Sequence, residues 1–222
     1  MPDDRLRRTQ YLESLARLQP SWVHESRSHL GNVSLQLDLL GELLPGADGV
    51  ADATRLRAPI ERARGGVDRL ERCLDLYVGA ARPRPAEETV DLAALLAEVG
   101  ELVAPAVRDR HLSWSCVRAT GGPGFAGPPA PRDVAAVREW LLIAAVEAVF
   151  GTSPGGSVEV RCEFDQERAC VTIAAPGGAA SLPEADGHPA KPGPVVEPVV
   201  RGRADGASRE WAFEFALAGA GT

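Results

Sequence analysis

Long apolar runs, paired cysteines and an excess of basic charge are all missing from this chain, and each absence narrows what it can be. The most apolar stretch, Trp140 to Val146, ends at Glu147, far too short to span a bilayer. The opening residues MPDDRLRRTQ lack the apolar centre of a secretory signal. Lys and Arg number 24 against 31 Asp and Glu, a net charge of −7. No overall positive field therefore draws the chain to nucleic acid or anionic lipid. Its four cysteines, Cys73, Cys116, Cys162 and Cys170, show no C-x-x-C spacing. They read as small buried hydrophobes of a reduced, cytoplasmic protein, which argues against a zinc ribbon or a disulfide scaffold. What is present is an ordinary globular balance of 45% hydrophobic and 25% charged residues over 222 positions. That suffices for one medium domain or two small ones.

The texture of the sequence changes near residue 80. Residues 1–79 read as helical. Apolar or small residues recur at Val23, Ser26, Leu30, Val33, Leu37, Leu40 and Leu44, alternately three and four apart, which is a heptad seam. Pro45, Gly46 and Gly49 then stop the helix, since proline cannot continue the ladder and glycine accepts a left-handed end. A second seam follows at Leu56, Ile60, Ala63, Val67, Leu70, Leu74 and Tyr77. Pro59 and the Gly65-Gly66 pair are expected to kink it or delay its start. So short a connection implies an antiparallel hairpin. Its apolar stripe exceeds what the hairpin itself covers, and a second copy would close it into a dimeric four-helix bundle. Packing of the stripe on the C-terminal half is the single-chain alternative.

Residues 80–89 are rich in proline and polar groups, as a linker is. Over 90–222 an α/β pattern takes over. Asp91 is placed to cap a helix from about Leu92 to Val107. Leu112, Trp114 and Cys116 alternate as in a strand, and Val134 to Phe150 reads as a buried helix. Val158, Val160 and Cys162 form a strand that Cys170 to Ala174 answer as a hairpin partner. Trp211, Phe213 and Phe215 mark a last strand. The fold class is α+β: an N-terminal helical hairpin, then an α/β sandwich with helices on a mixed or antiparallel sheet.

Few residues carry chemistry. In the heptad frame His24 falls beside the seam and faces outward. Ser28 and Gly31, one and two turns on, are small enough to let a partner approach. A histidine near its reference pKa of about 6.5 is mostly neutral at pH 7, with a ring nitrogen free to attack phosphorus. The plainer reading of His24 is a solvated surface residue. His29 on the flank of the seam reads as a satisfied bundle residue. His111 and His188 have no ligand-spaced neighbours, so no metal site is expected. The GGPG and PGG runs lack a following lysine and read as loops. Trp22 is either a partner-contact anchor or packed against the N-terminal segment.

The segment His24-Glu25-Ser26-Arg27-Ser28-His29-Leu30 resembles the phosphoacceptor box of histidine kinases, His-Glu-x-Arg-x-x-Leu, at His24, Glu25, Arg27 and Leu30. The resemblance continues through the hairpin and, more weakly, through the α/β half, which is similar to the ATP-binding domain of that family. It implies that His24 accepts the phosphoryl group and that Glu25 orients or deprotonates its imidazole. It implies equally that Arg27 steadies phosphate oxygens or a partner carboxylate through its fork of donors. Solvated helix charges are the alternative for Glu25 and Arg27.

Three departures from the family bear on function. Its metal-holding asparagine in Asn-Ala-x-Glu-Ala is matched by Ala144 in Ala144-Ala145-Val146-Glu147-Ala148. Its adenine-binding aspartate is matched by Ala175, and its Gly-x-Gly-Leu-Gly loop is missing before the last strand. An alanine methyl neither coordinates a cation nor accepts a hydrogen bond, and phosphoryl transfer from ATP depends on such groups. The degenerate nucleotide domain makes the chain similar to ChpT-like histidine phosphotransferases. That implies a homodimer relaying phosphate between response-regulator receiver domains, which supply their own magnesium, with a hybrid histidine kinase as a further possible partner. No cofactor of its own is expected. Two other readings stay open: a non-catalytic scaffold or inhibitor that binds a kinase or receiver, and a kinase with a divergent ATP site.

Overall fold

A computed structural model describes residues 2–44, 53–82, 91–118, 134–164, 168–176, 199–202 and 208–216. The order of elements is α1 (Pro2–Leu43), α2 (Ala53–Ala81), α3 (Leu92–Asp109), β1 (Ser113–Arg118), α4 (Val134–Gly151), β2 (Ser157–Phe164), β3 (Arg168–Pro176), β4 (Val199–Gly202) and β5 (Ser208–Ala216). The chain divides into two compact units, Gln19–Arg82 in one and Met1–Leu18 with Pro83–Thr222 in the other. This division differs from a break near residue 79, because the first turns of α1 cluster with the α/β region.

In the α/β unit, five strands form one mixed sheet in the order β1-β2-β3-β5-β4. β1 and β2 run parallel, with Trp114 opposite Val158 and Cys116 opposite Val160; the other pairings are antiparallel. A parallel pair needs a long crossover, and α4 lies within it. Residues of one parity, Val158, Val160, Cys162, Val171, Ile173, Trp211 and Phe213, are all buried. Their alternates Glu159, Arg161, Glu163 and Thr172 are exposed or half-buried. Such alternation is what a sheet with one covered face requires.

The covering helices begin and end on recognisable local chemistry. The Asp91 carboxylate accepts from the Ala94 backbone N–H at 2.6 Å, capping α3 as its position implies. At the far end His111 adopts a left-handed conformation, φ 54°. Its N–H reaches the Arg108 carbonyl while that of Leu112 reaches Val107, a paired closure of the helix end. α4 is buried on nearly every side, from Val134 to Val149. Its C-terminal carbonyls are gathered by one side chain: Arg110 donates to Val149, Phe150 and Thr152 at 3.1, 3.4 and 2.7 Å.

Two expectations need correction. α2 runs unbroken through Pro59 and Gly65-Gly66, and Gly66 is buried facing Val33 of α1. A Cβ there would stand 2.7 Å from Val33 Cγ2. Of the cysteines only Cys162 is buried; Cys116 is exposed and Cys73 and Cys170 are half-buried, all four as free thiols. Cys162 and Cys170 do lie on neighbouring strands, but Cys162 faces Val171 across the ladder and so points to the other side from Cys170. The loop expected at 121–131 and the site of the phosphate loop lie outside the described residues, as does the loop expected at 176–194 except for Pro176, which is the last residue of β3.

Candidate functional site

The site is built on the hairpin of the Gln19–Arg82 unit. α1 and α2 pack antiparallel, as three pairs establish. Trp22 stacks on Tyr77 with ring centroids 5.8 Å apart. Arg62 Nε donates to Gln36 Oε1 at 2.9 Å, and Val33 meets Gly66. Gln36 is buried, and the Arg62 bond and a contact from its amide to Asn32 at 3.4 Å meet the demand a buried amide makes.

The heptad seam splits in two. Ser26, Val33 and Leu40 on α1, with Leu56, Ala63, Leu70 and Tyr77 on α2, are half-buried. The other half stays uncovered: Val23, Leu30, Leu37 and Leu44 are 41–56% exposed, and Ile60, Val67 and Leu74 are 42–51% exposed. Each set recurs every seven residues. Seven aliphatic side chains on a two-helix surface form the kind of patch that marks an interaction face.

His24 stands beside this face and is exposed, as are Arg27, Ser28 and Gly31. A Cβ added at Gly31 would meet nothing within 4 Å, so the helix surface around the imidazole is open. The pairing register that joins Trp22 to Tyr77 also brings Asp75 of α2 level with His24. Sequence reasoning did not single out Asp75, since its place follows from the register between the helices and not from any spacing within one.

The expectation for Glu25 needs amending. Its carboxylate Oε1 lies 3.3 Å from Nε2 of His29, one helical turn on, with both side chains half-buried. Residues four apart share a helix face, whereas adjacent residues point about 100° apart. Glu25 therefore turns toward His29. Trp22 is a second correction: at 6% exposure its ring is part of the hairpin's own packing and offers no free partner anchor. Burial also pushes the Tyr77 phenol it stacks on above the ordinary tyrosine value.

In the α/β unit Ala144 on α4 and Ala175 on β3 are 2% and 1% exposed. Each places a methyl group in packed surroundings, with no atom able to ligate a cation or accept from an adenine. Among the described residues no cluster of three or more His, Cys, Asp or Glu side chains could hold a metal. No helix among them is long and apolar enough to cross a membrane.

No family model matches the chain, and no curated protein matches it. Among solved structures, full-length ShkA in complex with AMPPNP is similar over 93% of this chain and 47% of its own, at 18% identity and a TM-score of 0.46. A histidine kinase from Burkholderia phymatum STM815 is similar over 92% of this chain and 98% of its own, at 17% identity and a TM-score of 0.45. A bacterial phosphotransferase is similar over 90% of this chain and 95% of its own, at 15% identity and a TM-score of 0.41. Likenesses this distant leave the functional reading to rest on the chain's own residues.

Proposed function

We propose that the chain is a two-component signalling protein of the ChpT-like kind, a homodimeric histidine phosphotransferase. In this reading it relays a phosphoryl group between aspartates of response-regulator receiver domains through His24, without ATP. The observation that carries the reading is the open surface at His24: an exposed imidazole with Arg27, Ser28 and the bare Gly31 around it, beside an uncovered heptad stripe. A relay histidine has to be open to a globular partner, and His24 is exposed.

The chemistry asks little of the chain itself. A neutral ring nitrogen of His24 attacks the phosphorus of an aspartyl phosphate, the P–O bond to the aspartate breaks, and the carboxylate leaves with its electron pair. The reverse step hands the group to a second aspartate. Magnesium and the acidic pocket belong to the receiver. Arg27, on the same open surface, is placed to meet phosphate oxygens or a partner carboxylate with its planar fork. The apolar stripe supports the second part of the proposal. Covering it with another copy buries seven aliphatic side chains per hairpin, each contributing on the order of 1 kcal/mol or more. Methyl groups at Ala144 and Ala175 support the third, since phosphoryl transfer from ATP needs charged or polar groups positioned on the nucleotide and its metal.

The test is a two-donor labelling experiment. With a radiolabelled, phosphorylated receiver, label is expected on this protein, and His24→Ala abolishes it. With γ-labelled ATP and magnesium, no label is expected. Label from neither donor with receiver binding intact supports the scaffold reading instead, and label from ATP alone supports a kinase.

A further inference from the structure

The first turns of α1 hold a second arrangement that has no part in the chemistry at His24. Tyr11, Ser14, Leu15 and Leu18 are 0–4% exposed and recur at helical spacing on one face. Around them stand arginines. Arg7 Nε and Arg8 Nη1 donate to the two carboxylate oxygens of Glu139 on α4, at 2.8 and 2.9 Å. Arg17 pairs with Glu147 of α4, its guanidinium 4.8 Å from the centre of the Phe150 ring. Arg138 of α4 lies 5.7 Å from the centre of the Tyr11 ring and is paired with Glu98 of α3 at 2.7 Å. Burial pushes the Tyr11 phenol up to about 12, as suits a ring seated in the core as a neutral group.

We propose that residues 5–18 are a strap, a basic amphipathic helical segment seated on α4 that leaves its seat as a unit, without unfolding the sheet beneath, under the control of ionic strength.

Four features distinguish a strap from an ordinary wall of the core. The backbone hydrogen bonds of residues 5–18 lie within α1, so lifting the segment breaks none of the ladders of the sheet or of α4. The arginine side chains are still 18–42% exposed, so added salt reaches and weakens the ion pairs. Arg138, the most buried of the charges at 3% exposure, keeps Glu98 when the strap lifts and is not left as a lone buried charge. Finally, Pro20 follows two residues after Leu18 inside α1. Proline has no N–H to give, so the Ala16 carbonyl lacks its usual ladder donor and the helix is weakened just past the strap. The face of α4 that opens carries Glu139, Glu147 and Phe150, acidic and aromatic in the pattern the strap's arginines match.

Native-state hydrogen exchange on the full chain tests this, with tryptic cleavage after Arg7, Arg8 and Arg17 as a second readout. Raising salt from about 0.05 to about 0.5 M, which shortens the screening length severalfold, is expected to lower protection of residues 5–18 while α4 and β3 keep theirs. Glu139→Gln with Glu147→Gln should lower it about tenfold or more at low salt, as a sub-global opening does. Glu13→Gln, an exposed control on the same helix, should not. Arg7→Glu and Arg8→Glu combined with Glu139→Arg should restore protection. If residues 5–18 and α4 lose protection together under every condition, or if salt and charge removal leave 5–18 unchanged, the strap does not exist. The salt series on the unaltered protein decides the matter even if a variant misfolds. None of these readouts involves a phosphoryl group, so failure here and failure of the relay reading are separate results.

Discussion

The two units handle apolar surface in opposite ways. In the α/β unit, helix α4 is enclosed almost all round and the inward residues of β2, β3 and β5 reach 0–4% exposure. That unit finishes its own core. The hairpin leaves Val23, Leu30, Leu37, Ile60, Val67 and Leu74 at 41–56% exposure, although they are spaced as regularly as any core. A regular apolar stripe left bare on the hairpin is the kind of patch that marks an interaction face, and His24 stands beside it. The same helix, α1, belongs to both regimes, since Tyr11, Leu15 and Leu18 are sealed whereas Val23, Leu30 and Leu37 are open.

This contrast is breakable by mutation, and the largest effect is expected at the stripe. Leu30→Asp with Leu37→Asp should convert a dimer to a monomer, weakening self-association by more than about a hundredfold, as sedimentation would read. An unchanged mass would remove the dimer from the account. In the closed unit, Leu142→Ala empties a fully buried site and should lower unfolding free energy by about 2–5 kcal/mol in urea titration, with the dimer intact. Arg110→Ala leaves three carbonyls at the end of α4 without their donor and should lower it by about 1–3 kcal/mol.

The smallest effect is chemical. The Cys162 thiol hydrogen-bonds Cys116 and, against the opposing pull of burial, lowers the Cys116 thiol from 9.0 to about 7. The hold favours the thiolate, so alkylation of Cys116 should rise through about pH 7 as the solution is made more alkaline. Cys162→Ala should move that rise toward ordinary thiol values. An unmoved profile would mean that the two thiols do not communicate.

Much of the architecture was legible because local chemistry dictated it. Asp91 announced α3, alternation announced β2 and β5, and the predominantly apolar composition of Val134 to Phe150, interrupted only by Arg138, Glu139 and Glu147, announced α4. β4 was not legible: Val199–Gly202 is four residues long and follows a stretch dominated by proline and glycine. The seating of residues 5–18 was hidden for another reason. Helical periodicity identifies which face is buried and is silent about which partner buries it. Pairings between helices were hidden in the same way, so the stacking of Trp22 on Tyr77 and the level of Asp75 emerged only from the register. At the site, the outward position of His24 followed from the heptad frame. The turn of Glu25 toward His29 did not, because a box motif names residue types and leaves rotamers free.

One measurement bears most directly on the account. After brief mixing with a phosphorylated receiver and an alkaline quench that preserves phosphohistidine, peptide mass spectrometry should find a single phosphoryl group, on the peptide containing His24 and localised to its ring. The same modification should be absent after incubation with magnesium and ATP. A phosphoryl group on His29 or on an acidic residue, or one acquired from ATP, would contradict it.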